Sequence, residues 1–124
     1  MNLYREQMLD HYHNPRNFGK LSGTTISSTS ENVSCGDSIT IFLEISSSDK
    51  VTGISFEGEG CAVSIASTSL LTEYALNKSV QELLDVTIDD LIKIIGVEIT
   101  PSRIKCASLG LFSLQKALKG AKNS

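Results

Sequence analysis

Ile39-Thr40-Ile41-Phe42-Leu43-Glu44-Ile45, then Ser47-Ser48-Asp49-Lys50, then Thr52-Gly53-Ile54-Ser55-Phe56 and finally Gly58-Glu59-Gly60-Cys61 is the stretch on which the fold turns. Ile39, Ile41, Leu43 and Ile45 recur every second residue, the period of a half-buried strand with that face inward. Ser47-Ser48-Asp49-Lys50 is a turn, and Thr52, Ile54 and Phe56 repeat the alternation in a second strand. Gly58 and Gly60 end it. From Cys61 onward the period becomes helical, with Val63, Ala66, Leu70 and Tyr74 on one face. Upstream, Leu21 to Ser34 is rich in serine and threonine, but Thr24, Thr25, Ile26, Thr29 and Val33 make it a polar edge strand. Further upstream, Leu3, Met8, Leu9 and Tyr12 lie among charges in a short amphipathic helix that Asn14-Pro15 stops. Downstream, Ser79 with Glu82 and Thr87 with Asp90 each have the spacing of a capping box, the second helix running to Gly96. Pro101 suits the first turn of a last helix, on which Ile104, Ala107, Leu111, Leu114 and Leu118 form a stripe. A helix, three antiparallel strands, then helices on one face give an α+β two-layer domain.

The composition allows such a domain and excludes several functions. The chain has 124 residues, 40% apolar and 20% charged, which is the balance of one globular core. No linker or repeat divides it, so residues 1–124 are expected to form a single domain. Its net charge of −3 lacks the clustered positive excess that phosphate binding needs, so nucleic acid is not an expected partner. Gly60 to Thr72 carries no charge but is short and rich in hydroxyls, so it is not expected to span a membrane. MNLYREQMLD has no apolar core of a secretory signal. Three cysteines, an odd number, then indicate reduced thiols and a cytoplasmic protein.

Those thiols are Cys35, Cys61 and Cys106, and none belongs to a C-x-x-C pair. Each falls at the end of an element: Cys35 before the first alternating strand, Cys61 at a strand-to-helix junction, Cys106 in the first turns of the last helix. A single free cysteine is usually a small buried hydrophobe. Here none continues a core stripe, and Gly36, Gly58 and Gly60 allow close approach or positive φ beside two of them. A helix N-terminus would also stabilise a Cys61 thiolate. Three convergent thiols make a soft-metal or iron–sulfur site. Asp37, two residues from Cys35, is either a turn or capping aspartate or a fourth ligand whose hard oxygen holds a cluster loosely. Arg103 and Lys105 flank Cys106, either as solvated cations or as charges that offset an anionic site and lower thiol pKa values. Lys105 is not itself a ligand at neutral pH. His11 and His13 are expected at the surface or in caps. No Ser-His-Asp set, phosphate loop or carboxylate pair stands out.

Taken in order, these residues resemble the IscU/SufU iron–sulfur cluster assembly scaffold family, whose fold is that of the NifU N-terminal domain. The resemblance runs from Leu3 to about Lys119. It rests on Leu3-Tyr4, Asp10-His11-Tyr12, Asn14-Pro15-Arg16-Asn17, Cys35-Gly36-Asp37, Gly58-x-Gly60-Cys61-Ala62, Ala66-Ser67-x-Ser69, Thr72-Glu73 and Pro101-x-Arg103-x-Lys105-Cys106-Ala107-x-Leu109. It implies the SufE/NifU-like α+β fold. It also implies one exposed site at which Cys35, Asp37, Cys61 and Cys106 bind zinc or iron and hold a labile [2Fe-2S] cluster. Cys106, on the mobile rim, would first accept sulfur from a cysteine desulfurase, and the cluster would pass to apo iron–sulfur acceptor proteins. Tyr4 matches a tyrosine near the site in many members.

Two departures divide the expectation. Lys105 stands where the IscU branch has histidine, as in the SufU branch. Ile99-Thr100-Pro101-Ser102-Arg103 replaces Leu-Pro-Pro-Val-Lys, so a dedicated Hsp70-type chaperone is not expected. Against that, Cys61 and Cys106 are too close in sequence to contain the insertion of the SufU branch. The first expectation is a scaffold, a carrier rather than an enzyme. The alternative is a zinc-dependent sulfurtransferase that relays persulfide sulfur by thiol–disulfide chemistry. A purely structural zinc site ranks below both, because such sites usually have closed nitrogen and sulfur shells. A homodimer stays open.

Overall fold

A computed structural model describes residues 3–21, 26–32 and 36–122, with the backbone alone at residues 3–5 and 122. The order is α1 (Leu3–His13), β1 (Ile26–Asn32), β2 (Asp37–Ile45), β3 (Val51–Glu59), α2 (Ala62–Ala75), α3 (Val80–Leu84), α4 (Ile88–Ile95), a 3-10 turn (Pro101–Arg103) and α5 (Ile104–Lys122). The strands form one antiparallel sheet in the order β1-β2-β3. The expected α+β architecture is the one observed.

β2 organises the core. Ile39, Ile41 and Leu43 are fully buried on the side that packs against α5, while Ser38, Thr40 and Phe42 on the other side are only half-buried. Burying one such side chain contributes about 1.5–3 kcal/mol. On β3, Ile54 and Phe56 lie opposite Leu43 and Ile41 and complete the inward face. The alternation expected from Thr52 does not hold. An irregularity after Glu44 pairs Ile45 with Val51, so Val51 turns inward and Thr52 is exposed. One extra residue in a ladder inverts the facing of the residues beyond it. The outer side of β3 is covered in part by Asn17–Gly19: Phe56 N–H donates to Asn17 O at 2.9 Å and Gly19 N–H to Phe56 O at 2.8 Å.

Both capping boxes form as the spacing predicts: Glu82 N–H donates to Ser79 Oγ and Asp90 N–H to Thr87 Oγ1, each at 3.1 Å, with the return bonds also present. Gly96 ends α4 at φ 81°. Pro101 opens a 3-10 turn, and α5 takes over at Ile104. The α5 stripe is buried at Ala107, Leu111, Leu114 and Leu118.

Two helices depart from their expected faces. α2 has no solvent side through its middle: every residue from Ser64 to Thr72 is buried, because α1, α5 and β3 surround it. Its hydroxyls therefore lie inside the protein. In α1, Leu9 and Tyr12 are exposed, whereas half-buried Met8 packs against the core and His11, 3% exposed, reaches inward, contrary to its expected surface place.

Candidate metal and sulfur site

At one end of the sheet the start of β2, the start of α2 and the start of α5 meet. The ligand atoms of Asp37, Cys61 and Cys106 all lie within 4.8 Å of one another. Together with Ser102 and Arg103 they line an open cleft of about 290 Å³. Three segments far apart in sequence thus place two sulfurs and a carboxylate at one point. Cys35 and the side chain of Tyr4 lie outside the described residues.

Backbone geometry makes the approach possible. Gly36 adopts φ 72°, a conformation that L side chains rarely take, as the chain enters β2. A β-carbon on Gly58 would stand 2.3 Å from Ser38 O, and one on Gly60 would stand 3.0 Å from Asp37 Cγ. The bare backbone at Gly60 is what allows Asp37 to sit against the turn into α2. Cys61 is the N-cap residue of α2 and is half-buried, whereas Asp37 and Cys106 are 5% and 3% exposed. Cys106 therefore lies deep in the cleft, beneath the exposed Pro101–Arg103 turn, and not on a rim as expected.

Burial pushes the Cys61 thiol up. The Ser64 hydroxyl and the backbone N–H groups of Ser64 and Val63 outweigh it, and the net shift is downward despite the nearby Asp37 carboxylate. N–H groups at a helix start favour thiolate in this way. The Ser64 hydroxyl has one hydrogen, and its 2.6 Å contact with Asp37 Oδ2 is far shorter than its 3.5 Å contact with Cys61 Sγ. The Ser64 hydrogen is drawn toward Asp37, while the backbone N–H groups of Ser64 and Val63 lower the Cys61 thiol pKa wherever that hydrogen points. Arg103 brings positive charge to the cleft; Lys105 is exposed and does not line it.

The donor set fits a thiophilic divalent cation. With zinc–sulfur bonds of about 2.3 Å, sulfurs on a tetrahedron lie roughly 3.8 Å apart. Atoms already within 4.8 Å reach that spacing by small side-chain shifts. Asp37, Cys61 and Cys106 would hold the ion. Bound there, it would supply Lewis acidity and keep the thiols deprotonated.

Ser64 and His11 are polar anchors that the residue pattern does not announce. His11 Nδ1 lies 2.7 Å from Ser69 Oγ, which also accepts from Arg16 N–H at 2.8 Å. The Ser69 hydrogen then points to Nδ1, which leaves the neutral Nε2–H tautomer facing Glu73 at 3.3 Å. Beside it, Asn17 Nδ2 donates to Thr72 Oγ1 at 3.1 Å. Their one signal in the sequence is the hydroxyl run of α2, which by itself argues only against a membrane span. Among the described residues no helix is long and apolar enough to cross a membrane.

Comparison with known proteins matches the NifU-like N terminal domain over residues 3–123. The chain belongs to that family. Within it, the iron-sulfur cluster assembly scaffold protein IscU 1 of Archaeoglobus fulgidus is 32% identical over 116 residues, covering 94% of this chain and 74% of that protein. The zinc-dependent sulfurtransferase SufU of Bacillus subtilis is 35% identical over 133 residues, covering 94% and 89%. A crystal structure of a SUF-system scaffold protein from Fervidobacterium islandicum has a TM-score of 0.76 at 28% identity, covering 91% and 94%. The alignment with SufU is longer than this 124-residue chain and so contains residues the chain lacks, whereas that with the archaeal IscU is nearly gapless. The extra residues are not peculiar to SufU, since the alignment with the scaffold protein IscU of Thermotoga maritima also runs over 133 residues.

Proposed function

We propose that this protein is an iron–sulfur cluster assembly scaffold of the cytoplasm. It accepts sulfur from a cysteine desulfurase, binds iron or zinc, builds a labile [2Fe-2S] cluster and passes it to apo iron–sulfur proteins. The observation that carries this reading is the convergence of Asp37, Cys61 and Cys106 on one open cleft, in a chain that aligns almost without gaps with an IscU scaffold. Cys35, just before β2, completes the ligand set. Iron and sulfide are cargo here, so a weak oxygen ligand is well suited, because it yields when an acceptor presents its own thiolates. Cys106 is the first sulfur acceptor. Its thiolate attacks the outer sulfur of the desulfurase persulfide, the sulfur–sulfur bond of that persulfide breaks, and the desulfurase cysteine leaves as thiolate. An external thiol reductant then gives two electrons to the Cys106 persulfide and releases sulfide for the cluster. Arg103 and, from the helix surface, Lys105 offset the negative charge that accumulates.

The test is anaerobic reconstitution with iron, desulfurase and cysteine. A visible chromophore that moves to an apo-ferredoxin, with sulfur labelling lost in Cys106→Ser, is the expected result. The 35% identity with the zinc-dependent SufU supports a second reading, persulfide relay at a zinc-held site. Tightly held zinc, no chromophore and strong stimulation of desulfurase turnover would select it.

A further inference from the structure

Ser64 is the third residue of α2 and is 0% exposed. A buried helical serine or threonine ordinarily donates to a carbonyl three or four residues back. Thr68 and Thr72 do so: Thr68 Oγ1 donates to Ser64 O at 2.8 Å and Thr72 Oγ1 to Ser69 O at 2.7 Å. Ser64 instead donates across to β2, to Asp37 Oδ2 at 2.6 Å. That length is characteristic of a hydroxyl on an ionised carboxylate, among the stronger hydrogen bonds available to a side chain. On another side, Gly60 presses its bare backbone against the same carboxyl group; a β-carbon there would lie 3.1 Å from Asp37 Oδ1 and 3.1 Å from Ser64 Cβ. The carboxylate is therefore gripped by the first turn of the helix that begins with Cys61.

We infer that Ser64 is a positioning residue that restricts Asp37 to one-oxygen ligation and so keeps the Asp37–Cys61–Cys106 centre four-coordinate. The inference rests on the metal-site reading above. A carboxylate with both oxygens available can bind zinc through one or both, and zinc accepts a fifth ligand readily. With Oδ2 already accepting from the Ser64 hydroxyl, Oδ1 is the better donor to a metal. Ser64 Oγ also stands 3.5 Å from Cys61 Sγ. One buried side chain thus bonds the aspartate and adjoins the cysteine, residues 24 apart in sequence.

The test uses the full chain without sulfide, with cobalt(II) alone as spectroscopic probe and zinc as competitor. In Ser64→Ala the intense visible ligand-field bands of four-coordinate cobalt should weaken, and zinc affinity should fall about 10- to 100-fold, the usual cost of losing an outer-shell partner. Ser64→Thr, which keeps the hydroxyl, should restore both. Alanine is the better helix former, so the first variant is expected to fold, and thermal melting of the metal-free proteins checks it. A parent-like cobalt spectrum and zinc affinity in Ser64→Ala overturn the inference. If Asp37→Ala and Cys61→Ser also leave the cobalt spectrum unmoved, the metal-site reading itself falls, which separates the two failures.

Discussion

The two ends of helix α2 carry similar buried polar residues to different ends. Around its middle, Ser69 and Thr72 meet His11, Arg16 and Asn17, and the hydrogen bonds close on one another. Around its first turn, Ser64 and Cys61 meet Asp37 and Cys106 beside an open cleft, and two sulfurs and a carboxylate face a shared space. The first cluster is saturated and joins α1 and the Asn17 loop to the core. The second also has a closed bond, Ser64 to Asp37, but it adds two sulfurs that are good partners for a cation. What distinguishes the second cluster is a pair of thiols beside a carboxylate at an open cleft.

Breaking the second cluster should move metal binding and leave the fold. Cys61→Ser is expected to weaken zinc by more than the roughly 10- to 100-fold of an outer-shell change, read by chelator competition, with an unaltered far-ultraviolet dichroism spectrum. Breaking the first should do the reverse. His11→Phe keeps the ring volume but strands the Ser69 hydroxyl, and should cost about 1–3 kcal/mol in urea unfolding with zinc affinity unchanged.

Acid should sharpen the same contrast. Burial, followed by the Arg16 charge, holds the His11 pKa below its usual value, while Glu73 and Asp10 oppose the shift. The unfolded chain therefore binds this proton first. The stability in question is present in full above the unfolded pKa of about 6.5 and is lost as pH falls through the lower folded pKa. The urea midpoint of the parent should drop across that window, and that of His11→Phe should drop less. The smallest effect is expected at Ser67, fully buried with a hydroxyl that has no hydrogen-bond partner. Ser67→Ala should leave metal binding alone and raise stability by up to about 1 kcal/mol, read from the same unfolding curves.

The features legible in the sequence are local or periodic. The Ile39–Ile41–Leu43 alternation, both capping boxes and the α5 stripe depend on neighbours within a few residues, and all formed. The meeting of Asp37, Cys61 and Cys106 is legible through the family resemblance; the residues alone show only that each sits where an element begins. The inversion at Val51 and Thr52 is hidden, since nothing in the residue types marks the irregularity after Glu44. The enclosure of α2 is hidden too: a hydroxyl is polar by composition, but inside a helix it can turn to a neighbour and tolerate burial. The burial of His11 is concealed for the same reason, because its partner Ser69 has the residue type of a surface group.

The sheet has one bare flank. β3 is sheltered by Asn17–Gly19, but among the described residues nothing pairs with the outer side of β1. That strand reads Ile-Ser-Ser-Thr-Ser-Glu-Asn, almost without grease, and Lys116 Nζ donates to its Thr29 carbonyl at 3.2 Å. A crowded cell offers many stray strands that could zip onto such a flank and seed insoluble aggregates. Small hydroxyls, a glutamate and a lysine tether make this flank a poor template, and so help the fold stay dispersed.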